Sequence, residues 1–423
     1  MVTRAFRVRR RADRISRVTG AQRIRLPLLL VLASLAAVAP VATDLYLPGF
    51  PALGDDLRAD ASSVQLTLTA FLLGMAVGQL VTGPLSDRYG RRRPLLVSAT
   101  VCVLAGVATA VAPTLPILVA ARLVQGLAGA GGMVIGRAVI TDLVTGKAAA
   151  RAFTLMITVG GIAPVLAPTV GGLLVGPLGW RGLLWTVTGL CVLMLVGVVL
   201  VVHETLPEHR QTTLIGGVRS VLARPAYRRP VAVLGCSFGV MMAYISASPF
   251  VYQNVLGLSA VEYGVAFGVN ATGLIATGFV ASKLVDVWPP RTMVRTGVAV
   301  QTVAALAFLA LALTHASTWL YAVAIFVAVV CNGAIMGSSA ALAMAQVRDV
   351  AGSGSAVLGF TQFTLGAIVA PLVGLGGKDS AVVPALVMAV AAVGGFTASR
   401  GLPQPHAGRG GTKSRHETRQ ETG

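Results

Sequence analysis

The charged residues of this 423-residue chain are gathered into short clusters that leave long apolar segments between them. Each segment is about 20 residues long, which is enough for a helix to cross the hydrocarbon layer of a membrane. Only 12% of the residues are charged, whereas about a quarter are charged in a typical soluble domain. We therefore predict an all-α integral membrane protein with twelve transmembrane helices. The spans are expected at 26–48, 64–83, 94–112, 116–136, 152–176, 182–202, 230–251, 263–282, 293–314, 317–342, 354–377 and 380–399.

The net charge of +19 is distributed unevenly along the chain. Basic clusters precede the first span, follow the second, and occupy the central connection and the tail, whereas the connection after the first span carries Asp55, Asp56 and Asp60. Positive charge accumulates in cytoplasmic loops, so this alternation places both termini in the cytoplasm. A nucleic-acid partner would need a basic face on a folded domain, and no polar stretch here is long enough to form one. The basic N-terminal arm is suited instead to anionic membrane lipid.

The longest polar connection within the membrane region, 203–229, divides the predicted spans six and six. The fifth and eleventh spans share the pattern Ala-Pro-x-Val-Gly, at 167–171 and 370–374. Two parallel repeats would leave such a match in equivalent helices, with the transport pathway between them. We therefore predict two six-helix bundles related by a pseudo-twofold axis. The expected organisation is a cytoplasmic arm (1–25), a first bundle (26–203), a central cytoplasmic loop (204–229), a second bundle (230–400) and a cytoplasmic tail (401–423).

The chain lacks the residue patterns of an enzyme or of a cofactor site. Separate predicted spans hold the four cysteines Cys102, Cys191, Cys236 and Cys331, without the spacing of metal ligands. A phosphate-binding Gly-Lys-Ser/Thr loop is absent from the sequence, as is a nucleophile with a matching general base. We expect no catalytic residue, no metal and no cofactor. A membrane enzyme or a receptor that does not transport is the alternative of a different class, and it has no supporting motif.

Several segments resemble the major facilitator superfamily, and within it the twelve-helix drug:proton antiporters of the Bcr/CflA (bicyclomycin/chloramphenicol resistance) family. Residues 83–92 have the pattern G-x-L-x-D-R-x-G-R-R, and residues 44–51 have the pattern D-x-Y-L-P-x-x-P. Residues 122–126 match R-x-x-Q-G, and 168–172 resemble the end of the antiporter motif G-P-x-x-G-G, although Ala167 replaces its first glycine.

The resemblance implies the major facilitator fold and multidrug or antibiotic efflux by alternating access, driven by the proton gradient. The expected partners are protons and a small amphipathic or antibiotic-like substrate, and the expected location is the bacterial inner membrane. Because one chain holds a complete pathway, we expect a monomer.

Asp44 and Arg122 are ionisable residues inside predicted spans. Such residues are costly in hydrocarbon and are therefore functional candidates. We expect Asp44 to carry the coupled proton, because burial favours the neutral acid whereas a nearby cation favours the carboxylate. Arg122 is expected to take part in this coupling. Two alternatives stay open: Asp44 faces an external vestibule without a coupling role, or Arg122 is an anchor that binds backbone carbonyls.

The G-x-L-x-D-R-x-G-R-R run at 83–92 is expected to form a conformational latch on the cytoplasmic side. The latch residues are Gly83, Asp87, Arg88, Gly90, Arg91 and Asp142. Asp87 is expected at the start of the eleventh span, near 352–355, because a helix N-terminus favours a carboxylate by about 0.3–1 kcal/mol. Arg88 and Arg91 are expected to pair with Asp142. The docked latch would hold the cytoplasmic side shut.

The antiporter motif of the fifth span comprises Pro164, Pro168, Gly171 and Gly172. Residues four apart share a helix face, prolines bend a helix, and glycines let a neighbouring helix approach closely. We therefore predict a bendable and tightly packed helix between the two halves. The alternative is that proline and glycine are common in membrane helices for general reasons.

The substrate cavity is expected to present polar, aromatic and sulfur-containing side chains, which suit varied apolar ligands. The candidates are Tyr46, Met241, Tyr244, Asn270, Asn332, Gln362 and Phe363. Import or uniport of a sugar or another metabolite is the alternative transport function. It is the weaker one, because 203–207 reads His-Glu-Thr-Leu-Pro in place of the P-E-S/T-x-R/K signature of sugar porters.

Overall fold

The computed structural model describes residues 25–144, 146–206, 214–285, 287–314, 317–347 and 350–402. Most of the predicted N-terminal arm (1–24), most of the predicted tail (403–423) and part of the central loop (207–213) lie outside the described residues.

All regular elements of the described residues are helices. They are α1 (Leu26–Asp44), α2 (Phe50–Leu57), α3 (Ala61–Tyr89), α4 (Arg92–Ala110), α5 (Leu115–Leu143), α6 (Gly146–Val201), α7 (Leu214–Leu222), α8 (Pro225–Phe250), α9 (Ala260–Leu284), α10 (Pro290–Leu313), α11 (Thr318–Met344), α12 (Ala351–Gly374) and α13 (Val382–Ser399). A 3₁₀ turn, Leu47–Gly49, joins α1 to α2, and a π-helical turn, Val251–Val255, follows α8. Within these described ranges, eleven continuous stretches are long and apolar enough to span a membrane.

One of the eleven stretches contains two spans, because α6 reverses direction at Gly179. The backbone of Gly179 is not helical (φ 65°, ψ 177°), a conformation that glycine adopts readily. Met156 and Val198, on either side of it, belong to one hydrophobic cluster. In a straight helix, residues 42 positions apart would be separated by about 63 Å. The first arm (146–178) and the second arm (180–201) are therefore separate crossings, which agrees with the twelve predicted spans.

The first observed helix is shorter than the predicted span 26–48. It ends as an α-helix at Asp44, and the chain continues through the 3₁₀ turn into α2. Pro48 has no N–H with which to bond the Asp44 carbonyl, so the α-helical pattern cannot continue there. The acidic segment that the sequence assigns to a loop, around Asp55 and Asp56, lies in α2. We call this side of the molecule the Asp56 end.

The run at 83–92 differs from the loop that the predicted spans 64–83 and 94–112 leave between them. Residues 83–89 are the last two turns of α3, and the turn itself is confined to Gly90 (φ 84°) and Arg91. Hydropathy marks where the apolar run ends, whereas the helix continues through polar residues beyond the membrane core. We call this side of the molecule the Arg91 end. The central loop likewise contains a short helix, α7.

Helix contacts separate the described chain into two groups, α1–α6 and α8–α13, and two helix pairs make most of the contacts between them. In the first pair, α3 runs antiparallel to α12: the Ser62 hydroxyl donates to the Pro371 carbonyl (3.4 Å) at one end, and the Gln79 side chain lies against Gly359 further along. In the second pair, the first arm of α6 packs against α9. The space between these two pairs contains the candidate site.

Within the first group, α3 and α5 cross with their backbones in contact. A Cβ atom added to Gly126 would overlap the Phe71 carbonyl oxygen, and one added to Gly74 would overlap the Leu123 carbonyl oxygen. Small residues permit such close crossings in membranes, where dispersion contacts between helices replace the hydrophobic effect. This crossing holds α3 and α5 in a fixed position beside the site.

We expect Gly126→Ala to destabilise the protein, because the added methyl group must push two helix backbones apart. Overpacking of this kind costs about 1–3 kcal/mol. The matched control is Gly189→Ala, since no atom lies within 4 Å of a Cβ atom at that position. The check is the thermal midpoint of both variants in detergent. Equal midpoints for the two variants would contradict the tight crossing.

Candidate functional site

A cavity of about 340 Å³ lies between the two helix groups. It begins at Asp44, near the end of α1, and extends toward the Arg91 end as far as Met133 of α5 and Met336 of α11. Its wall is mostly apolar and contains the side chains of Met241 and Met242 as well. Among the residues that the structure describes, the polar side chains on the wall are those of Thr43, Asp44, Tyr244 and Gln362. The cavity can therefore accommodate a largely apolar molecule and offers it a single carboxylate.

Four of the seven predicted cavity residues line this space: Met241, Tyr244, Gln362 and Phe363. The other three, Tyr46, Asn270 and Asn332, are buried behind the wall. Asn270 donates to the hydroxyl oxygens of Tyr244 (3.0 Å) and Tyr252 (3.2 Å), so it positions a wall residue. Asn332 accepts a hydrogen bond from Ser237 (2.6 Å) within the second helix group.

Further wall residues are not among the sequence candidates: Phe71, Met133, Phe267 and Met336. Their sequence signal is weak, because they are large apolar residues in apolar helices. Hydropathy does not distinguish the helix face that borders a cavity from the faces that contact lipid or other helices.

Asp44 is the last residue of α1 and is only 3% exposed. Its Oδ1 atom accepts a hydrogen bond from the neighbouring Thr43 hydroxyl (2.8 Å). Among the described residues, no Lys or Arg forms an ion pair with it. A buried carboxylate without a countercharge is costly, so a proton or a cationic ligand in the cavity would stabilise this site.

Arg122 of α5 is completely buried. Its guanidinium donates from Nη1 to Gln125 Oε1 (2.7 Å) and from Nη2 to the Ala42 carbonyl oxygen (2.7 Å). The last carbonyls of a helix lack intrahelical partners, so Arg122 caps the end of α1, two residues before Asp44. The Cζ atom also lies 4.5 Å from the ring centroids of both Tyr46 and Phe71, which stabilise the cation. Arg122 thus binds a backbone carbonyl, which is the contact expected if it is an anchor.

The antiporter motif lies where the first arm of α6 meets α1 and α9. A Cβ atom at Gly171 would overlap the Leu45 carbonyl oxygen, and one at Gly172 would overlap the Ala260 carbonyl oxygen. Pro164 borders the cavity, and the Pro168 carbonyl lies against Gly264 of α9. The motif therefore lies where the first helix group contacts α9 of the second.

Hydrogen bonds that join the two helix groups cluster at the Asp56 end. Gln65 donates to the Ser246 carbonyl (3.0 Å), and Gln253 donates to the Pro48 carbonyl (3.3 Å). The rings of Phe50 and Phe250 pack together between them, with centroids 6.2 Å apart. These contacts close the cavity on the side beyond Asp44.

The predicted latch residues form a charge cluster at the Arg91 end. Arg91 donates to Asp87 Oδ1 (2.6 Å), to Asp142 Oδ2 (2.8 Å) and to the Ser86 hydroxyl (2.8 Å). The expected pairing of Arg88 with Asp142 is wrong for the described residues: the Arg88 guanidinium lies over the Tyr89 ring instead, 5.3 Å from its centroid. The docking of Asp87 at the start of the eleventh span stays a prediction, since residues 348–349 beside it lie outside the described residues.

Glu204 belongs to the same cluster but is not among the sequence candidates. Its carboxylate accepts hydrogen bonds from the backbone N–H groups of Arg91 (2.8 Å), Arg92 (3.1 Å), Thr205 (3.0 Å) and Leu206 (3.0 Å). Partial burial raises the pKa of this carboxyl, but the four donors outweigh burial and leave the pKa below its usual value of 4.5. Glu204 therefore caps the start of α4 and fastens it to the end of α6. Gly90 leaves room for it, because a Cβ atom there would overlap the carboxylate.

The fold and the site together define a class: an all-helical membrane protein with an internal cavity between two groups of helices. A family model described as Major Facilitator Superfamily matches residues 32–371. The match covers more than half of the chain, so the chain belongs to the Major Facilitator Superfamily. Members of this superfamily are transporters rather than enzymes. The protein is therefore a multi-pass membrane transporter of small molecules.

Several bacterial proteins match most of the chain. The chain is 34% identical over 398 residues to the MFS-type transporter YdgK of Bacillus subtilis (strain 168), covering 92% of this chain and 98% of that protein. It is 28% identical to the bicyclomycin resistance protein homolog of Haemophilus influenzae (84% of this chain, 90% of the relative). It is 27% identical to the multidrug resistance protein MdtL of Escherichia coli O45:K1 (78% and 83%).

Solved structures share the fold at low sequence identity. A bacterial homologue of the human lysosomal transporter Spinster superposes with a TM-score of 0.69 and 18% identity, covering 89% of this chain and 96% of that one. The xylose transporter XylE from E. coli superposes with a TM-score of 0.69 and 13% identity, covering 88% and 96%. At these identities the likeness supports the fold alone.

We expect Arg122→Lys and Arg122→Gln to destabilise the protein by similar amounts. An ammonium group cannot reach Gln125 and the Ala42 carbonyl with the geometry of the guanidinium fork. Each buried partner left without a hydrogen bond costs about 1–3 kcal/mol. Thermal midpoints in detergent are the measurement, and the exposed Arg228, changed in the same two ways, is the control. If Arg122→Lys keeps the wild-type midpoint and Arg122→Gln does not, the positive charge stabilises the protein and the guanidinium geometry does not.

We expect Glu204→Gln to lower the thermal midpoint at neutral pH and to make no difference in acid. A carboxyl whose pKa is depressed on folding stabilises the protein above its unfolded pKa, and this contribution is lost as the pH falls through the folded value. The difference between wild type and variant should therefore be full above pH 4.5 and shrink below it. Asp379→Asn, in an exposed loop, is the control. A difference that does not depend on pH would contradict the capping role of the charge.

Proposed function

We propose that the protein is a proton-driven exporter of small amphipathic or antibiotic-like molecules, a drug:proton antiporter similar to the Bcr/CflA family. The observation that carries the proposal is the cavity itself, in which Asp44 is the only carboxylate that the described residues place on a mostly apolar wall. The names of the relatives support drug efflux, since one is a bicyclomycin resistance protein homolog and another is a multidrug resistance protein.

The composition of the cavity wall argues against a sugar as the substrate. A sugar needs a hydrogen-bond partner for most of its hydroxyl groups, because a buried polar group without one is costly. The polar side chains of this wall belong to Thr43, Asp44, Tyr244 and Gln362, which are too few for that purpose. Methionine and aromatic side chains instead adapt their shape to varied apolar molecules.

The proposed orientation places the Arg91 end and both termini in the cytoplasm, because basic residues concentrate there. The contacts at the Asp56 end then close the external side, and the cavity extends from Asp44 toward the cytoplasm. The two helix groups act as parallel six-helix repeats that rock against each other around the cavity. The seal around Gln65 and Ser246 would open when the Arg91 end closes.

Coupling follows from the position of Asp44, where the cavity meets the external seal. A proton or a cationic substrate can neutralise the carboxylate, and binding of one disfavours binding of the other. In the proposed cycle, the substrate displaces the proton toward the cytoplasm and is itself displaced by a proton from outside. Arg122 takes part indirectly, because it fixes the backbone that carries Asp44.

The charge cluster at the Arg91 end acts as the conformational latch in this proposal. Arg91 links the end of α3, at Asp87, to the end of α5, at Asp142, and the backbone of Arg91 is bound by Glu204. These bonds make the cytoplasmic end of the first half a rigid unit. Such a unit can alternate between two positions when ligand binding shifts the balance by a few kcal/mol.

We expect Asp44→Asn to abolish proton-coupled export while leaving the protein folded in the membrane, because the neutral amide cannot exchange a proton. The measurement is drug-induced proton release from everted vesicles with phenicols, bicyclomycin and lipophilic cations. Asp379→Asn, at an exposed position outside the helices, is the matched control and should retain export. Wild-type release from Asp44→Asn vesicles would reject the proposed carrier. Proton movement in the opposite direction would indicate symport and reject the proposed function.

A further inference from the structure

A second cavity, of about 370 Å³, lies on the outer face of α3, α4 and α5 near the Arg91 end. We call it the outer groove. Its floor is formed by small residues, Gly78 and Thr82 of α3, Ser98 of α4 and Ala128 of α5. The side chain of Ser98 donates to the Ala128 carbonyl, so the one polar group of α4 on the floor is satisfied. The floor is therefore suited to a hydrocarbon chain.

The walls of the outer groove face away from the transport cavity. Val97 is 63% exposed and Val81 is 44% exposed, although both belong to apolar spans. In a chain that crosses a membrane, such an exposed apolar wall lies in the acyl-chain region. The outer groove is therefore accessible to a lipid acyl chain.

The end of the groove is basic. Arg93 borders it directly and is exposed. Tyr89 lies beside it, 49% exposed, with the Arg88 guanidinium over its ring. Within the part of the chain that the structure describes, no carboxylate forms an ion pair with Arg93. A guanidinium at the end of an apolar groove is well suited to a phosphate group, which it binds with two parallel hydrogen bonds.

We propose that the outer groove binds one anionic glycerophospholipid, with an acyl chain along Val81 and Val97 and its phosphate at Arg93. The charge of Arg93 selects the anionic headgroup, and the small floor residues accept the chain. The bound lipid contacts α3 on one side of Gly90 and α4 on the other. It therefore fastens the two helices that carry the charge cluster, and it stabilises the Arg91 end of the protein.

The experiment is a titration of the purified full-length protein with phosphatidylglycerol and with phosphatidylcholine, followed by native mass spectrometry. Each arginine near a membrane surface contributes about five-fold in affinity for an anionic lipid. We expect Arg93→Ala to weaken phosphatidylglycerol binding about five-fold, whereas Arg228→Ala, at an exposed arginine of α8, leaves it unchanged. Val97→Trp fills the groove and should abolish the tight binding of phosphatidylglycerol. Val303→Trp, at a 69% exposed valine of α10, is its control.

These measurements can either support or overturn the proposed lipid site. A preference for phosphatidylglycerol that is lost in Arg93→Ala and in Val97→Trp, but kept in both controls, supports it. Equal loss in Arg93→Ala and Arg228→Ala would show general surface attraction and overturn it. Unchanged phosphatidylglycerol binding by Val97→Trp would also overturn it. Occupation of the groove by a lipophilic drug in place of phosphatidylglycerol would overturn it too. The thermal midpoint of the folded variants shows whether a loss of binding reflects unfolding.

Discussion

The hydrogen bond from Arg122 to the Ala42 carbonyl is the contact on which the central region depends. Within a bilayer no water is available to bind the free carbonyls of a broken helix, so protein groups must do so. Pro48 prevents α1 from continuing past Asp44, and Arg122 donates to one of the carbonyls in the last turn of that helix. Two aromatic rings and the Gln125 side chain in turn hold the buried guanidinium in place. A helix can therefore end in the middle of the protein and present a carboxylate to the cavity.

The rest of the molecule arranges two ends of different character around that carboxylate. At the Asp56 end, the buried contacts between the two halves are uncharged, such as the Gln65–Ser246 hydrogen bond and the packing of Phe50 against Phe250, whereas the Lys378–Asp55 ion pair there is exposed. At the Arg91 end, charged groups bind one another within the first half, through Arg91 and Glu204. Contacts of the first kind separate without leaving a buried charge unpaired. A closed Asp56 end and a rigid cluster at the Arg91 end are thus compatible with the proposed rocking motion.

Much of the fold could be predicted from the sequence, because hydropathy and charge directly report which segments enter a membrane. The prediction of twelve spans agrees with the structure, and Asp44 and Arg122 stand out as charges inside apolar runs. The ends of the helices were harder to predict. Helix α3 continues to Tyr89 through polar residues, and α2 lies in a segment that the sequence assigns to a loop. Both errors arise because helix formation depends on backbone hydrogen bonds as well as on apolar side chains.

The candidate site was only partly predictable for a similar reason. Glu204 lies in a polar segment, and its role comes from backbone N–H groups of Arg91 and Arg92, which no residue pattern encodes. Asn332 and Met133 are both plausible cavity residues by type, yet only Met133 borders the cavity. The orientation of a side chain around its helix depends on the packing of all the helices, and local sequence does not specify it.

The central claim is that one carboxylate, Asp44, binds either the proton or the substrate. Its most direct test is to add a lipophilic cation to the purified protein in weakly buffered detergent solution and to measure proton release and ligand binding together. The account predicts that binding releases protons from the wild-type protein, and that Asp44→Asn releases none even where it still binds the ligand. Substrate binding without proton release by the wild type, or equal release by both proteins, would contradict it.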